Sequence, residues 1–378
     1  MDVLRASTVI TPDGPIEHAE VEIAGDGTIS AVRTAPPDVD VPDRILVPGF
    51  VDLQVNGVGD IDCASASEPR HWDRIDEQLV ATGVTSWCPT LVTSPLDAMA
   101  RRIGRVAEAM ARPPRNGARP RPQIVGAHLE GPFLGGATGA HRKEWVIPLD
   151  LGWLAEQPLG EVVRIVTLGP EQADALEAIR LLTRRGVLVS LGHSRASYEQ
   201  ALAGADAGAR LVTHLFNGMD PLHHRTPGLV GAALTDARLT PSLIADGVHV
   251  HPAALTAAAR AKGPGGWILV TDAIGWASGR VADRQVTVVD GAPRLPDGTL
   301  AGSSLTMDVA VRRMVVECGL PLEDVVAAAA TVPARLVGAA DRGAIASGLR
   351  ADLVCLTPVP ELRVAGVWIG GLQAVDDA

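Results

Sequence analysis

Residues 123–132 read QIVGAHLEGP, a nearly continuous apolar run, Gln123–Leu129, that breaks at once into Glu130, Gly131 and Pro132. A run apolar on successive positions, rather than alternate ones, is the pattern of a parallel strand buried on both faces. Seven further runs of this kind surround it: Ile45–Val55, Val84–Val92, Val162–Leu168, Val187–Leu191, Arg210–Leu215, Leu243–Val248 and Trp267–Thr271. They start roughly 23 to 40 residues apart, the length of a strand–helix unit. Between them, residues 71–82, 96–111 and 171–185 carry apolar side chains at three- and four-residue steps, which predicts helices. Eight such units over ~250 residues predict a (β/α)8 barrel. A doubly wound open sheet is the alternative, since periodicity alone does not show closure. Polar residues at the C-terminal ends of nearly all eight runs favour the barrel, in which those ends share one mouth.

The two ends of the chain read differently. Residues 19–33 form two β-like runs about Asp26-Gly27, a hairpin signal, and residues 350–371 read as short strands broken by turns. Neither piece could bury a core alone. The expectation is one small β-sandwich domain built from residues 1–47 and 342–378. The barrel, residues 48–341, is inserted between Pro48-Gly49 and Arg342-Gly343.

With 47% hydrophobic residues among 378, the chain can bury a large core, and its net charge of −11 argues against nucleic-acid or anionic-membrane partners. The apolar stretches are too short to span a membrane, and the opening MDVLRASTVI lacks the basic and apolar regions of a signal peptide. Cys63, Cys88, Cys318 and Cys355 lie far apart without paired spacing, as expected of reduced thiols in a cytoplasmic protein.

The chemistry gathers at the strand ends. The third run ends His128-Leu129-Glu130, the fifth Gly192-His193-Ser194, the sixth Thr213-His214-Leu215 and the eighth Thr271-Asp272-Ala273. One Glu, two His and one Asp at a barrel mouth make a mononuclear catalytic metal site. Three of them would hold the ion and leave a position open for water, while the remaining carboxylate moves protons.

Those strand ends belong to an ordered set of motifs. It runs from Pro48-Gly49-Phe50-Val51-Asp52 through His128–Pro132, Gly192-His193-Ser194 and Thr213-His214-Leu215-Phe216-Asn217. It continues with Pro227-Gly228-Leu229, Ala245-Asp246-Gly247-Val248-His249, Thr271-Asp272-Ala273 and Ala301-Gly302-Ser303. In this set the chain resembles the N-acetylglucosamine-6-phosphate deacetylases of the amidohydrolase superfamily, over essentially its whole length. The resemblance implies that Glu130, His193 and His214 hold the metal and that Asp272 is the acid/base. It also implies that His141, Asn217, Gly218, Arg225 and His249 contact the sugar phosphate.

Most of that superfamily carries His-x-His on the first strand; here the pair is Gln54-x-Asn56, and neutral amides are poor zinc ligands. No lysine lies in any run to bridge two ions. One divalent ion per subunit is therefore expected, zinc first, with iron, manganese, cobalt or cadmium as alternatives. Gln54 and Asn56 either bind water or substrate or pack as polar groups inside the mouth. His128 shares a face with Glu130 and is read as a supporting residue. Asp272 would take a proton from the attacking water and pass it to the departing amine, with His249 or the metal stabilising the oxyanion. The glycine-rich loop from Gly131 to Trp145 reads as a lid carrying His141.

Arg225, in Asp220–Gly228, lies in the only cationic cluster immediately beside a ligand-bearing run, and its planar fork suits phosphate. The resemblance implies that this arginine reaches the substrate of a neighbouring subunit in a homodimer. Departures from the family pattern are Arg142-Lys143, where Asn or Asp and then Pro are usual, Gly218 in place of Ala, and Thr226 in place of an acidic residue. They leave the sugar open: the galactosamine epimer or another N-acyl sugar phosphate is the alternative substrate. A cyclic-amide hydrolase and a scaffold without turnover are the remaining alternatives.

Overall fold

The computed structural model describes residues 2–113, 119–281 and 284–376. Eight parallel strands follow one another in sequence order: Phe50–Val55, Val84–Val92, Ala127–Glu130, Val163–Leu168, Leu188–Leu191, Leu211–Val212, Thr240–Leu243 and Ile268–Leu269. Nearly every residue in them is buried, as their unbroken apolar character requires. The ring closes where the eighth strand meets the first. The Asp272 N–H donates to Gln54 O at 2.9 Å, and the N–H groups of Asn56 and Gly57 donate to Ala273 O at 2.8 and 3.0 Å. An open sheet would leave this seam unpaired, so the fold is the barrel and not the doubly wound alternative.

Helices Pro69–Val80, Leu96–Met110 and Ala175–Arg184 lie close to their sequence positions; the third starts four residues late because residues 171–174 form a turn. Their apolar faces, such as Ile75 and Leu79 or Ile103 and Val106, pack into the single large core around the strands. Three of the eight runs need correction. Gln123–Leu129 breaks at residues 125–126 into Gln123–Ile124, paired with Val84–Val92, and the barrel strand Ala127–Glu130. Ile45–Val55 is divided: Ile45–Pro48 belongs to the small sheet and Phe50–Val55 to the barrel. The seventh strand is Thr240–Leu243, not Leu243–Val248; Ile244 and Ala245 are fully buried in the loop beyond it.

The chain ends join in one seven-stranded sheet, in the order Leu372–Val375, Val364–Ile369, Leu353–Leu356, Ile45–Pro48, Asp2–Thr11, Gly14–Ile23, Ile29–Thr34. Its far edge bends back, so that the Ile29 N–H donates to Leu349 O and the Gly348 N–H to Ile29 O, both at 2.8 Å. The folded sheet encloses its own core of Val9, Val21, Ile29, Leu46, Leu353 and Trp368. Among the described residues no helix is long and apolar enough to cross a membrane, and all four cysteines are buried and unpaired.

Candidate active site

The C-terminal strand ends bring Glu130, His193, His214 and Asp272 together at the floor of one cavity of about 400 Å³. Three of these residues bend the backbone into the left-handed region, with φ of 47° at His193, 33° at His214 and 50° at Asp272. Such values are costly for residues with side chains and cluster where a site over-determines the chain.

Glu130 Oε1 lies 3.1 Å from His193 Nε2 and 3.0 Å from His214 Nε2, and the two imidazole nitrogens are 3.1 Å apart. Protons cannot satisfy this triangle. His193 Nδ1 faces the Ala137 carbonyl at 3.1 Å, so that nitrogen carries a hydrogen and Nε2 is the one turned toward Glu130 and His214. A hydrogen on His214 Nε2 could serve only one of its two neighbours. A cation at the centre would satisfy all three atoms, and a tetrahedral ion with bonds of ~2.0–2.1 Å would hold them about 3.3–3.4 Å apart. The residues present therefore fit a divalent metal. Burial would raise the Glu130 carboxyl, but hydrogen bonds from His193 and His214 and the nearby imidazole charges hold it well below the usual range.

His141 approaches from the loop side, its ring 4.4 Å from that of His193, and offers a nitrogen within 4.8 Å of the Glu130 and His193 ligand atoms. Its Nδ1 donates to Thr93 Oγ1 at 2.9 Å, and that hydroxyl donates in turn to Glu130 O at 3.3 Å. Burial and then the charge of His193 push the His141 imidazole down to about 3, so the ring is neutral and presents a bare Nε2.

His128 has no nitrogen to spare. Nδ1 donates to Leu53 O at 3.0 Å and Nε2 accepts from Thr167 Oγ1 at 2.7 Å. The hydroxyls continue through Thr213 to Ser190, at 2.8 and 2.5 Å, bracing the strands beneath the site.

Gln54 and Asn56 bind the carboxylates. Gln54 Nε2 donates to Glu130 Oε1 at 3.0 Å and to Asp272 Oδ1 at 3.1 Å, and Asn56 Nδ2 donates to Asp272 Oδ1 at 2.6 Å. N–H groups directed at carboxylates cannot ligate a cation. Asn56 Oδ1 is buried without a protein partner and its residue lines the cavity. Burial, followed by the Glu130 charge, raises the Asp272 carboxyl to about 7, against the opposing influence of His214, His249 and the Asn56 bond. The Asp272 Oδ2 takes no bond from either amide.

His249, Asn217 and Gly218 also line the cavity. His249 Nδ1 is held by Asp246 Oδ2 at 2.7 Å, which leaves its other nitrogen for a ligand. Gly218 has φ of 59°, and a Cβ there would come within 2.7 Å of His193 Nδ1. In this chain glycine lets the loop close against His193. Arg225 is not among the cavity residues; it is exposed, with Nη1 2.9 Å from His224 Nε2. The arginines that do line the cavity are Arg142, Arg284 and Arg294. The loop carrying Arg225 is therefore not the sole cationic feature beside the site. Periodicity could not have found Arg284 and Arg294, because they sit on short hairpins inserted after the eighth strand.

The amidohydrolase family model matches residues 45–373. The chain is 38% identical to the N-acetylgalactosamine-6-phosphate deacetylase of Escherichia coli, covering 98% of this chain and 99% of that one. It is 39% identical to the human N-acetylglucosamine-6-phosphate deacetylase, over 90% and 85% of the two chains. Among solved structures, a variant of the N-acetyl-D-glucosamine-6-phosphate deacetylase of Mycobacterium smegmatis, in complex with N-acetyl-D-glucosamine-6-phosphate, superposes with a TM-score of 0.89 at 34% identity, covering 99% of each chain. Match, site and barrel agree: the chain belongs to the amidohydrolase family.

Proposed function

We propose that this enzyme hydrolyses the acetamide of N-acetylglucosamine 6-phosphate, giving glucosamine 6-phosphate and acetate. The observation that carries the reading is the Glu130–His193–His214 triangle with Asp272 beside it on the floor of one cavity. Full-length likeness to deacetylases of amino-sugar phosphates supports it. N-acetylgalactosamine 6-phosphate is the second reading, favoured by the Escherichia coli relative, which matches over 99% of its own length.

Glu130, His193 and His214 would hold one divalent ion, zinc first among the candidates. When bound, such an ion polarises the acyl carbonyl and makes a water acidic enough to attack near neutrality. Asp272 takes the proton of the attacking water and delivers it to the amide nitrogen as the C–N bond breaks, since an unprotonated amine leaves poorly. Gln54 and Asn56 aim the Asp272 carboxylate by anchoring Oδ1, so that Oδ2 faces the reaction. His249, aligned by Asp246, donates to the carbonyl oxygen as negative charge develops there. His141, Asn217 and Gly218 position the sugar. Arg225 reaches the phosphate of a neighbouring subunit's substrate in a cytoplasmic homodimer, a role consistent with its exposure away from its own cavity.

The test is amine release from a panel of N-acyl hexosamines, with and without a 6-phosphate, by metal-reconstituted protein. Preference for an N-acetylhexosamine 6-phosphate is expected, and the faster epimer names the substrate. No release from any member would overturn the reading.

A further inference from the structure

The cavity has two electrostatic halves. Among the described residues the carboxylates of its lining, Glu130 and Asp272, lie on the floor, whereas the rest carries three arginines, Arg142, Arg284 and Arg294. In a chain of net charge −11, this local reversal of sign is where an anion can be held.

The arginine wall is a built unit. The segments Arg280–Val281 with Arg284–Gln285, and Thr287–Val289 with Ala292–Arg294, pair as two short hairpins after the eighth strand. Ile274, Val286, Leu295 and Ala301 form a small separate core beneath them, with Ala140 of the lid loop packed against it. Arg284 Nη1 donates to Ala140 O at 2.6 Å and Arg294 Nη1 donates to Gly298 O at 2.9 Å. Each bond orients a guanidinium while using one of its five N–H groups. Among the described residues neither arginine makes an ion pair, although Asp297 and Glu144 lie near enough to Arg284 for its charge to lower their carboxyls. Arg142 is engaged by Glu144 at 3.1 Å and lies 4.9 Å from the Trp145 ring centre, so it contributes field more than a free fork.

We propose that Arg284 and Arg294 form an anion subsite within the chain that takes the phosphate monoester of the sugar substrate. The inference rests on the deacetylase reading for the identity of that substrate. It gives the active site a phosphate contact that needs no second subunit, whatever Arg225 adds.

The experiment measures binding and turnover separately on Arg284→Gln, Arg294→Ala and Arg284→Lys, with thermal melting to confirm folding. Inorganic phosphate binding by calorimetry requires no catalysis. For Arg284→Gln and Arg294→Ala, the phosphate Kd and the KM for the 6-phosphorylated substrate should each rise roughly ten- to hundredfold, as for a lost charged hydrogen bond. The kcat and the slow reaction on unphosphorylated sugar should hold, and Arg284→Lys should recover part of the loss. Unchanged phosphate binding overturns the subsite. So does an equal loss on phosphorylated and unphosphorylated sugar, which marks a structural role. If phosphate binding depends on Arg284 and Arg294 but no N-acyl sugar phosphate is hydrolysed, the subsite stands and the deacetylase reading falls.

Discussion

Removing the Asn56 amide should move the acid limb of the pH profile, not scale the rate. Asn56 Nδ2 donates to Asp272 Oδ1 at 2.6 Å, and both side chains are buried. That bond favours the ionised carboxylate, while burial and the Glu130 charge favour the protonated one and raise Asp272 to about 7. A hydrogen bond to a charged group is worth ~1.5–3 kcal/mol, and one pH unit corresponds to ~1.4 kcal/mol. In Asn56→Ala the Asp272 carboxyl should therefore titrate higher by about one to two units, nearer one if water fills the space. The base must be ionised to accept a proton, so kcat/KM falls as pH drops through this value, and the variant loses activity first. One unit below the wild-type limb, the variant should be about ten- to a hundredfold slower; on the alkaline plateau the two should agree within a few-fold. A bound divalent ion lowers both limbs together, so the displacement between the profiles is the quantity to measure. The assay is kcat/KM for N-acetylglucosamine 6-phosphate across pH 5–9 at one metal loading. A uniform loss with the limb in place would reduce Asn56 to packing, and a limb displaced to lower pH would contradict the electrostatic sign.

Asp272→Asn should fold and bind metal normally while kcat falls by the ~10²–10⁴-fold typical of a positioned acid/base; near-normal turnover would remove Asp272 from the mechanism. Arg225→Ala should raise KM for the 6-phosphorylated sugar about ten- to a hundredfold and spare the unphosphorylated one. A fully active monomer in solution would refute the contact across subunits. Gly131, next to Glu130, has φ of 88°, and a Cβ there would meet Thr93 Oγ1 at 2.1 Å. Gly131→Ala should displace Glu130 and weaken metal affinity by about an order of magnitude, given strain of ~1–2 kcal/mol; unchanged affinity in competition with a chelator would show that the backbone yields freely.

The barrel was legible because buried parallel strands advertise themselves as unbroken apolar runs, and each ends where chemistry begins. Glu130, His193, His214 and Asp272 stand at those ends, and the structure brings them to one cavity. Apolarity reports burial and not pairing, however. Ile244 and Ala245 are as buried as a strand while lying in a loop, which shifted the seventh run. The strand Asp2–Thr11 carries no comparable signal, because only part of it is buried and its polar positions interrupt the pattern. At Gln54 and Asn56 the sequence leaves substrate contact and packing open, and only geometry shows a third role, donation to two carboxylates. Arg284 and Arg294 join Arg142 through the packing of an insertion about 140 residues away, a juxtaposition that no local pattern encodes. Nor does residue type reveal that His193, His214 and Asp272 bend through positive φ to face one point.

The most direct measurement strips the protein of metal and titrates a divalent ion back while following acetate release from N-acetylglucosamine 6-phosphate. The stripped protein should be inactive, and the rate should rise linearly to a plateau at about one ion per chain, because Gln54 and Asn56 offer donors where a second ion would need ligands. Full activity without metal, or a plateau only at two ions per chain, would contradict the single-ion site at Glu130, His193 and His214.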